Sequence, residues 1–343
     1  MGRHLPRRSP RDEEASFTCL PGERYGALFV KRPKTPSTVR EKAPVKAPKA
    51  STVRSMKIRG GRASSVGLSV ADMESVYRLW DELGTLPPAG VDAALVHLME
   101  WIAKQTGASN VTWIGALRLL HGAGAKGDPF SGWRLRIRQA LRPNTKAYAK
   151  ILAAYYDKEH RGKAAATNPQ KQARERAMFH SGMMGRKMMS LAGAFRVVRM
   201  RDGWIDYEAF RETPHYDLYY RQQGLVDKMG VGFPLNPDAE SIFLIDRTRG
   251  RFTERHTALL QMALRGNREF HRRLFLDHGL LAGGTPLTPL QRRIVQGLLS
   301  GLTEKEIALA AGQKPATMHS YVTALYARFG VKGRAALTAF WLG

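Results

Sequence analysis

Three polar side chains near the C-terminus, His319, Ser320 and Thr323, have the spacing of residues on one face of a helix. An imidazole ring and two hydroxyl groups can each donate or accept a hydrogen bond. Base pairs offer matching donors and acceptors in the DNA major groove, so these three side chains are candidates for base contacts. None of them has the two-pronged guanidinium that pairs with guanine, so part of the specificity is expected to come from DNA shape. The alternative interpretation is a solvated polar surface.

A second group of side chains around this stretch could bind phosphate oxygens. Lysine, arginine and hydroxyl side chains make such contacts, which orient a protein on DNA without reading its sequence. Tyr321 has an alternative role, which is to pack on the first helix of the region. The predicted contacts to the DNA backbone are Thr303, Lys305, Lys314, Thr317, Tyr321, Arg328 and Arg334.

Helix-start signals at regular intervals indicate which elements would present these residues. Thr288 and Gln291, and then Thr303 and Glu306, have the three-residue spacing of capping boxes. Pro315 suits the first turn of a further helix, because a proline there removes no hydrogen bond. Together with the glycines that follow each apolar stretch, these signals predict four helices over 289–300, 304–311, 315–329 and 333–341.

This arrangement resembles the LuxR-type helix-turn-helix, a four-helix DNA-binding domain. In a helix-turn-helix the second helix of the pair lies in the major groove, which here would be the helix over 315–329. The resemblance implies DNA binding, with base contacts at the positions of His319, Ser320 and Thr323. The family usually has Lys and His at the positions of His319 and Tyr321, so the resemblance leaves the DNA sequence open. With its helical tail, the match covers about a sixth of the chain. The matching residues are Leu287-Thr288-Pro289, Gly301-Leu302-Thr303, Lys305-Glu306-Ile307-Ala308, Thr317, Leu325-Tyr326, Gly330-Val331 and Arg334.

The composition agrees with a nucleic-acid partner. The chain has 55 Lys and Arg against 29 Asp and Glu, for a net charge of +26, and such a field attracts polyanions. Its single cysteine, Cys19, excludes an internal disulfide and a cysteine-based zinc cluster. No run of about 18 apolar residues is present, so we predict no transmembrane helix and no membrane partner. No cofactor and no metal site are predicted.

The first 66 residues read as a basic disordered tail. Pro, Lys, Ala and Ser recur there in near-repeats, and Ser-Thr-Val-Arg occurs at 37–40 and again at 51–54. Such a composition cannot form an apolar core. The alternative is that this segment is an extension upstream of the true translation start, which would then be Met56 or Met73.

Residues 67–278 have the composition of a globular domain, and 279–286 contain the glycines and proline of a linker to the helix-turn-helix. Helical and strand periodicities alternate in this domain, which predicts an α+β sensory-type domain followed by an all-α four-helix helix-turn-helix domain. We predict helices over 69–83, 90–105, 144–157, 170–179, 208–223 and 253–276, strands over 110–120, 192–200, 230–233 and 241–246, and either a strand or a helix over 131–141. Gly266 interrupts the pattern of the helix over 253–276.

The end of this domain, over about 230–275, weakly resembles a GAF or PAS domain. A strand, a turn and an exit helix follow one another there. The resemblance implies that the helix over 253–276 transmits a signal to the DNA-binding domain or pairs two subunits. The alternative is a helix that only packs against the domain.

Aromatic side chains in the same domain could line an apolar pocket for a small-molecule effector. An ordinary aromatic core is the alternative, because aromatic residues dominate many cores. The candidate pocket residues are Trp113, Trp204, Tyr207, Tyr219 and Tyr220.

These observations predict a transcriptional regulator, located in the cytoplasm with the nucleoid, that binds double-stranded DNA as a homodimer. Its first domain would sense an unknown small molecule or mediate dimerisation. The alternative is a constitutive factor that binds DNA and another protein, such as RNA polymerase or a sigma-like partner, without a small-molecule ligand. An enzyme is not expected, because His215 with Asp217 and His180 with Ser181 lie in no recognisable catalytic motif.

Overall fold

The computed structural model describes residues 67–87, 90–125, 128, 130–143, 183–282 and 285–342. The tail over 1–66 and the helices predicted over 144–157 and 170–179 lie outside these residues. The described elements of the first domain, in chain order, are α1 (Val70–Thr85), α2 (Val91–Thr106), β1 (Asn110–Arg118), β2 (Trp133–Ala140), α3 (Met183–Ser190), β3 (Arg196–Arg199), α4 (Tyr207–Arg211), β4 (Asp227–Asn236), β5 (Ala239–Arg247), α5 (Glu254–Arg265) and α6 (Arg268–Asp277).

The five strands form one antiparallel sheet in the order β2-β1-β5-β4-β3. The stretch over 131–141 is therefore a strand, and it pairs with β1 through a register shift between Gly115 and Ala116. That bulge interrupts the alternation of side chains on which sequence patterns depend, which explains why periodicity alone did not decide between strand and helix. The α+β class predicted for this domain is confirmed.

Each face of the sheet has its own core. On one face, Trp113, Val231 and Phe243 pack against α1, α2, α5 and α6 in the largest apolar cluster. On the other face, Ile114 and Ile242 pack against the methionines of α3. Neighbouring residues of β1 thus point into different cores, as the pleat of a strand requires.

The long helix predicted over 253–276 is two helices in the structure, and they separate at Gly266, where the helical pattern of the sequence is also interrupted. Trp80 of α1 packs against this break. Its indole Nε1 donates to the Ala263 carbonyl at 2.9 Å, and its ring lies where a side chain at position 266 would be, 2.4 Å from an ideal Cβ. Asn267 then caps α6 by accepting from the backbone N–H of Phe270. The chain therefore changes direction between α5 and α6, beside α1, and does not continue as one straight helix.

Gly266→Ala is expected to lower the free energy of unfolding by about 1–3 kcal/mol, because the added methyl group would overlap the Trp80 ring. Gly84→Ala is the matched control. No atom lies within 4 Å of a Cβ at that helical position, so alanine is expected to be neutral or stabilising there. Urea unfolding of the two variants measures the difference. Equal effects of the two substitutions would contradict the role given to Trp80.

The predicted helix over 208–223 is also interrupted. The structure has α4 and then two shorter helical turns, Pro214–Tyr216 and Asp217–Arg221. Asp206 caps α4 by accepting from the N–H of Ala209, and Pro214 then begins the next turn. A proline favours a helix start and opposes the continuation of a preceding helix, which accounts for the break.

The C-terminal region forms the four helices that its caps predict: α7 (Pro289–Leu299), α8 (Glu304–Ala310), α9 (Pro315–Phe329) and α10 (Arg334–Leu342). Both capping boxes are present, since Thr288 accepts from the N–H of Gln291 and Thr303 accepts from that of Glu306. The apolar faces meet in a separate core that includes Ile294, Ile307, Met318, Val322, Leu325, Phe329 and Trp341. Residues Arg62–Gly343 together form one compact unit.

Candidate nucleic-acid interface and its junction with the sheet domain

Helix α9 is held by α8 and exposes its opposite face. The turn between them uses Gly312, whose φ of 62° suits glycine, and the N–H of Gln313 donates to the Ala308 carbonyl at 2.8 Å. Met318 and Val322 are buried. Because residues three and four apart share one side of a helix, the intervening polar residues of α9 are directed to solvent.

The three residues predicted to contact bases share this exposed face. His319, Ser320 and Thr323 are all exposed. The Ser320 hydroxyl donates to the Ala316 carbonyl within the same helix at 3.2 Å. His319 contacts Glu304 of α8, with 3.0 Å between its Nδ1 and a carboxylate oxygen. The sequence predicted the position of His319 but not this partner, since no local pattern joins residues 15 positions apart on two helices.

Lys305, Lys314, Thr317 and Tyr321 are exposed as well. The Tyr321 side chain is 38% exposed, so it stands at the surface and is not enclosed by packing on α7. Thr303 is exposed too, but its hydroxyl is engaged with Glu306 at 2.7 Å in the capping box of α8.

The two arginines predicted to contact the DNA backbone both bind protein carbonyls. Arg334 donates to the Leu302 carbonyl. Arg328 donates to the carbonyls of Gly279 and Thr285, and burial lowers its pKa. The guanidinium of Arg328 thus ties α9 to the segment that enters the C-terminal domain, which is a structural role that the sequence did not indicate.

The comparisons with known proteins bear on this region first. Residues 285–341 match the family described as GerE, bacterial regulatory proteins of the luxR family. This match agrees with the four helices, their caps and the exposed polar face of α9. The C-terminal domain is a LuxR-type helix-turn-helix domain.

Solved structures similar to the chain include the VqsR LBD domain from Pseudomonas aeruginosa, with 12% identity, a TM-score of 0.36, and coverage of 60% of this chain and 96% of that one. SdiA in complex with octanoyl-rac-glycerol has 12% identity and a TM-score of 0.37 over 81% of this chain and 97% of its own. SdiA from Escherichia coli has 13% identity and a TM-score of 0.34 over 78% and 95%. Similarity at this level supports no argument about ligands. A search of curated proteins found no match.

The LuxR-type domain is joined to the sheet domain by an ion cluster. Arg292 of α7 donates to both carboxylate oxygens of Asp92 on α2 at 2.8 Å, and it also contacts the carboxylate of Asp277 at the end of α6. Asp277 is 1% exposed, and Gln296 donates to its second oxygen at 3.0 Å. Burial raises the pKa of Asp277, and the charge of Arg292 opposes that rise.

His278 completes the surroundings of this ion cluster. A ligand atom of His278 lies within 4.8 Å of carboxylate oxygens of Asp92 and Asp277, a grouping of the kind that can hold a metal ion. The guanidinium of Arg292 already contacts both carboxylates, so the arrangement is that of an ion pair. Burial lowers the pKa of His278 to about 3, which keeps its ring neutral.

Two further contacts hold the LuxR-type domain in place. Arg272 of α6 donates to the carbonyls of Phe340 and Trp341 at 2.6 and 2.9 Å, and such carbonyls at a helix end have no partner within the helix. The N–H of Leu287 donates to the His278 carbonyl at 2.9 Å, which closes the base of the segment over 279–286. The predicted linker is therefore anchored at both ends.

The five aromatic residues predicted to line a pocket do not lie together. Trp113 is fully buried in the core between the sheet and α2 and α6, and it stacks on His278 with ring centroids 5.1 Å apart. Trp204, Tyr207, Tyr219 and Tyr220 belong to a cluster around Phe210 and Met200. Trp113 consequently points away from the cluster that contains the other four.

Hydroxyl groups within the Phe210 cluster have partners. Tyr207 and Tyr216 share a hydrogen bond of 3.3 Å between their hydroxyl oxygens, and Tyr220 donates to the Met184 sulfur at 3.3 Å. Burial raises the pKa of Tyr207 to about 12.

None of the described helices has the length and apolar character needed to cross a membrane.

Proposed function

We propose that this protein is a sequence-specific regulator of transcription that binds double-stranded DNA through α9. The observation that carries the proposal is the exposed face of α9, where His319, Ser320 and Thr323 stand together on a LuxR-type domain. Their side chains can pair with base edges once the helix lies in the major groove. Such a protein acts where the nucleoid is, so we place it in the cytoplasm.

Around this face we assign the phosphate contacts to Lys305, Lys314, Thr317 and Tyr321, which are exposed. Contacts of this kind fix the register of the helix in the groove. Thr303 and Arg334 flank the same helix pair and complete the set. Arg334 donates to one protein carbonyl. Arg328 is placed among them only as a support, because its guanidinium binds two protein carbonyls and burial lowers its pKa.

Selection of bound sequences from a random double-stranded library tests the proposal with the full chain. We expect a defined motif, and its footprint should show two half-sites about one helical turn apart if the protein binds as a dimer. Sedimentation of the free protein gives its oligomeric state independently. Enrichment of no motif would contradict sequence-specific regulation.

Replacing Lys305 and Lys314 together with alanine is expected to weaken binding to all DNA sequences alike and to reduce the slope of log K against log salt by about two units. The reason is that each lost contact no longer releases a counterion. The matched control replaces two exposed basic residues of the sheet domain, Arg78 and Lys104, with alanine. An equal change of slope in both double variants would show that only the overall charge matters.

We further propose that the sheet domain controls the LuxR-type domain in response to an apolar small molecule or through dimerisation. The face of the sheet that bears Ile114 and Ile242 packs on Met188 and Met189, and methionine side chains adapt readily to a bound molecule. A screen of apolar metabolites should then contain one that raises Tm with increasing concentration.

A constitutive factor without a ligand is the second candidate, and a specific observation favours it. The Tyr207, Tyr216 and Tyr220 hydroxyls find partners inside their own cluster, as in an ordinary core. In that case no small molecule shifts Tm, and the sheet domain contacts another protein such as RNA polymerase. Co-purification with RNA polymerase on operator DNA would distinguish this role from ligand sensing.

A further inference from the structure

Glu304 and His319 join the two helices of the helix-turn-helix at the surface proposed to face DNA. Glu304 is the first residue of α8, and one of its carboxylate oxygens lies 3.0 Å from Nδ1 of His319 on α9. The side chains are 35% and 72% exposed, respectively. The other carboxylate of this helical turn, Glu306, is engaged with the backbone and hydroxyl of Thr303. The two glutamates therefore have separate roles, one within α8 and one across to α9.

This contact determines which nitrogen of the imidazole carries the proton. An ionised carboxylate can only accept hydrogen bonds, so the nitrogen that faces Glu304 must be the donor. In the neutral ring, one nitrogen is protonated and the other is a bare acceptor. With Nδ1 protonated, Nε2 is left as an acceptor on the exposed side of α9.

An acceptor and a donor at this position read different bases. In the major groove, adenine and cytosine present amino groups, whereas guanine presents only acceptors and thymine a carbonyl and a methyl group. A bare Nε2 can therefore pair with adenine N6 or cytosine N4. A ring with its proton on Nε2 would instead need an acceptor, which guanine (N7 and O6), adenine (N7) and thymine (O4) present and cytosine does not.

We propose that Glu304 is a positioning residue for specificity, which holds His319 in the tautomer that accepts a hydrogen bond from an amino-bearing base. The inference rests on the proposed function and names the base class that one residue of the same surface reads. Glu304 itself touches no base, and it acts only through the ring of His319.

Selection from a random double-stranded library, carried out in mildly alkaline buffer, provides the test. Wild type and His319→Ala are compared first, because the operator position at which preference disappears in His319→Ala is the one that His319 reads. At that position we expect wild type to favour adenine or cytosine over guanine or thymine by about five-fold, the value of one ordinary hydrogen bond.

Glu304→Gln then removes the constraint on the tautomer while keeping the size of the side chain. An amide can present either its oxygen or its NH2 group to Nδ1, so both tautomers become accessible. We expect the preference at the His319 position to fall below about two-fold, with the rest of the motif unchanged. In the double variant with His319→Ala, the Glu304→Gln substitution should have no further effect on any position.

Several results would overturn the inference, and they differ from failure of the proposed function. A wild-type preference for guanine or thymine at the His319 position would show the other tautomer or a charged ring. An effect of Glu304→Gln in the His319→Ala background would show that Glu304 contacts DNA directly. A motif that His319→Ala leaves unchanged refutes the role of His319 while sequence-specific binding stands. Enrichment of no motif refutes both.

Discussion

Replacing Arg292 with methionine is expected to lower the free energy of unfolding by about 3–5 kcal/mol, because it leaves the carboxylate of Asp277 buried without its cation. Arg292 contacts Asp277 and Asp92 at once, and methionine retains most of the apolar length of the arginine side chain. Gln296 would remain as a neutral donor to Asp277. One amide does not compensate a buried charge.

The pH dependence of this effect has a definite sign. Burial raises the pKa of Asp277, and Arg292 opposes the rise, so the variant should have a still higher pKa at that position. Below the pKa of an unfolded aspartate, the carboxyl is neutral in both states and the loss from Arg292→Met becomes small. The loss should therefore be largest near neutral pH and should shrink as the solution is acidified.

Urea unfolding at several pH values measures the effect, and two variants control it. Arg293→Met removes the same charge from the next residue, which is exposed, and should change stability by less than about 0.5 kcal/mol. Arg292→Met combined with Asp277→Asn removes both charges and should recover much of the loss. If Arg292→Met and Arg293→Met were equally mild, the ion cluster would have no part in joining the two domains.

The helix-turn-helix was predictable because its signals are local. Thr288 with Gln291 and Thr303 with Glu306 are three residues apart, and each pair closes its box within one helical turn. Gly330 ends α9 with a φ of 67°, which glycine adopts readily. Such interactions depend on residues that a short window of sequence already contains.

The junction was not predictable for the opposite reason. Asp92 and Arg292 are 200 positions apart in the sequence. Arg272 of α6 and Phe340 of α10, whose carbonyl it binds, are 68 positions apart. Each of these residues looks like an ordinary charged side chain on its own helix. Only the contacts of α7 and α10 with α2 and α6 give them partners, and a linker-like sequence does not reveal such contacts.

The aromatic pocket residues illustrate a third case. Both faces of β1 are buried, with only its end residues partly exposed. A strand of this kind shows no alternation of polar and apolar residues. The sequence therefore gave no indication that Trp113 faces α6, whereas the next residue, Ile114, faces the methionines of α3. The predicted pocket therefore combined Trp113 with four aromatic residues that belong to other apolar clusters.

Acidification from about pH 7 to pH 5 is expected to destabilise the wild-type protein by several kcal/mol, because two buried histidines must gain protons on unfolding. Burial lowers the pKa of His271 to about 4 and that of His278 to about 3, from 6.5. The unfolded chain thus binds more protons than the folded one below pH 6.5. The full stability is present above that value and is lost as the pH falls toward the folded-state pKa values.

The surroundings of His271 explain why its ring stays neutral in the folded protein. Its Nε2 lies 3.0 Å from the Leu264 carbonyl and must be the donor, so its Nδ1 accepts from the Ser241 hydroxyl at 2.8 Å. Ser241 in turn accepts from the Trp113 indole at 2.9 Å. Every group in this buried chain has one partner of the right kind, and a second proton on His271 would oppose a hydroxyl hydrogen.

Urea unfolding between about pH 7 and pH 5 measures the slope, which should approach about 1.4 kcal/mol per pH unit for each buried histidine toward the acidic end of this range. His271→Gln should remove about half of the slope whatever its effect on stability at pH 7. His278→Gln should remove a similar share, and His121→Gln, which replaces an exposed imidazole, serves as the control.

His256 is half exposed, so we assign it less of the slope although burial lowers its pKa to about 4. If both buried-site variants left the slope unchanged, the loss of stability in acid would come from carboxylates. The hydrogen bonds from Trp113 to Ser241 and from Ser241 to His271 would then not account for the pH dependence.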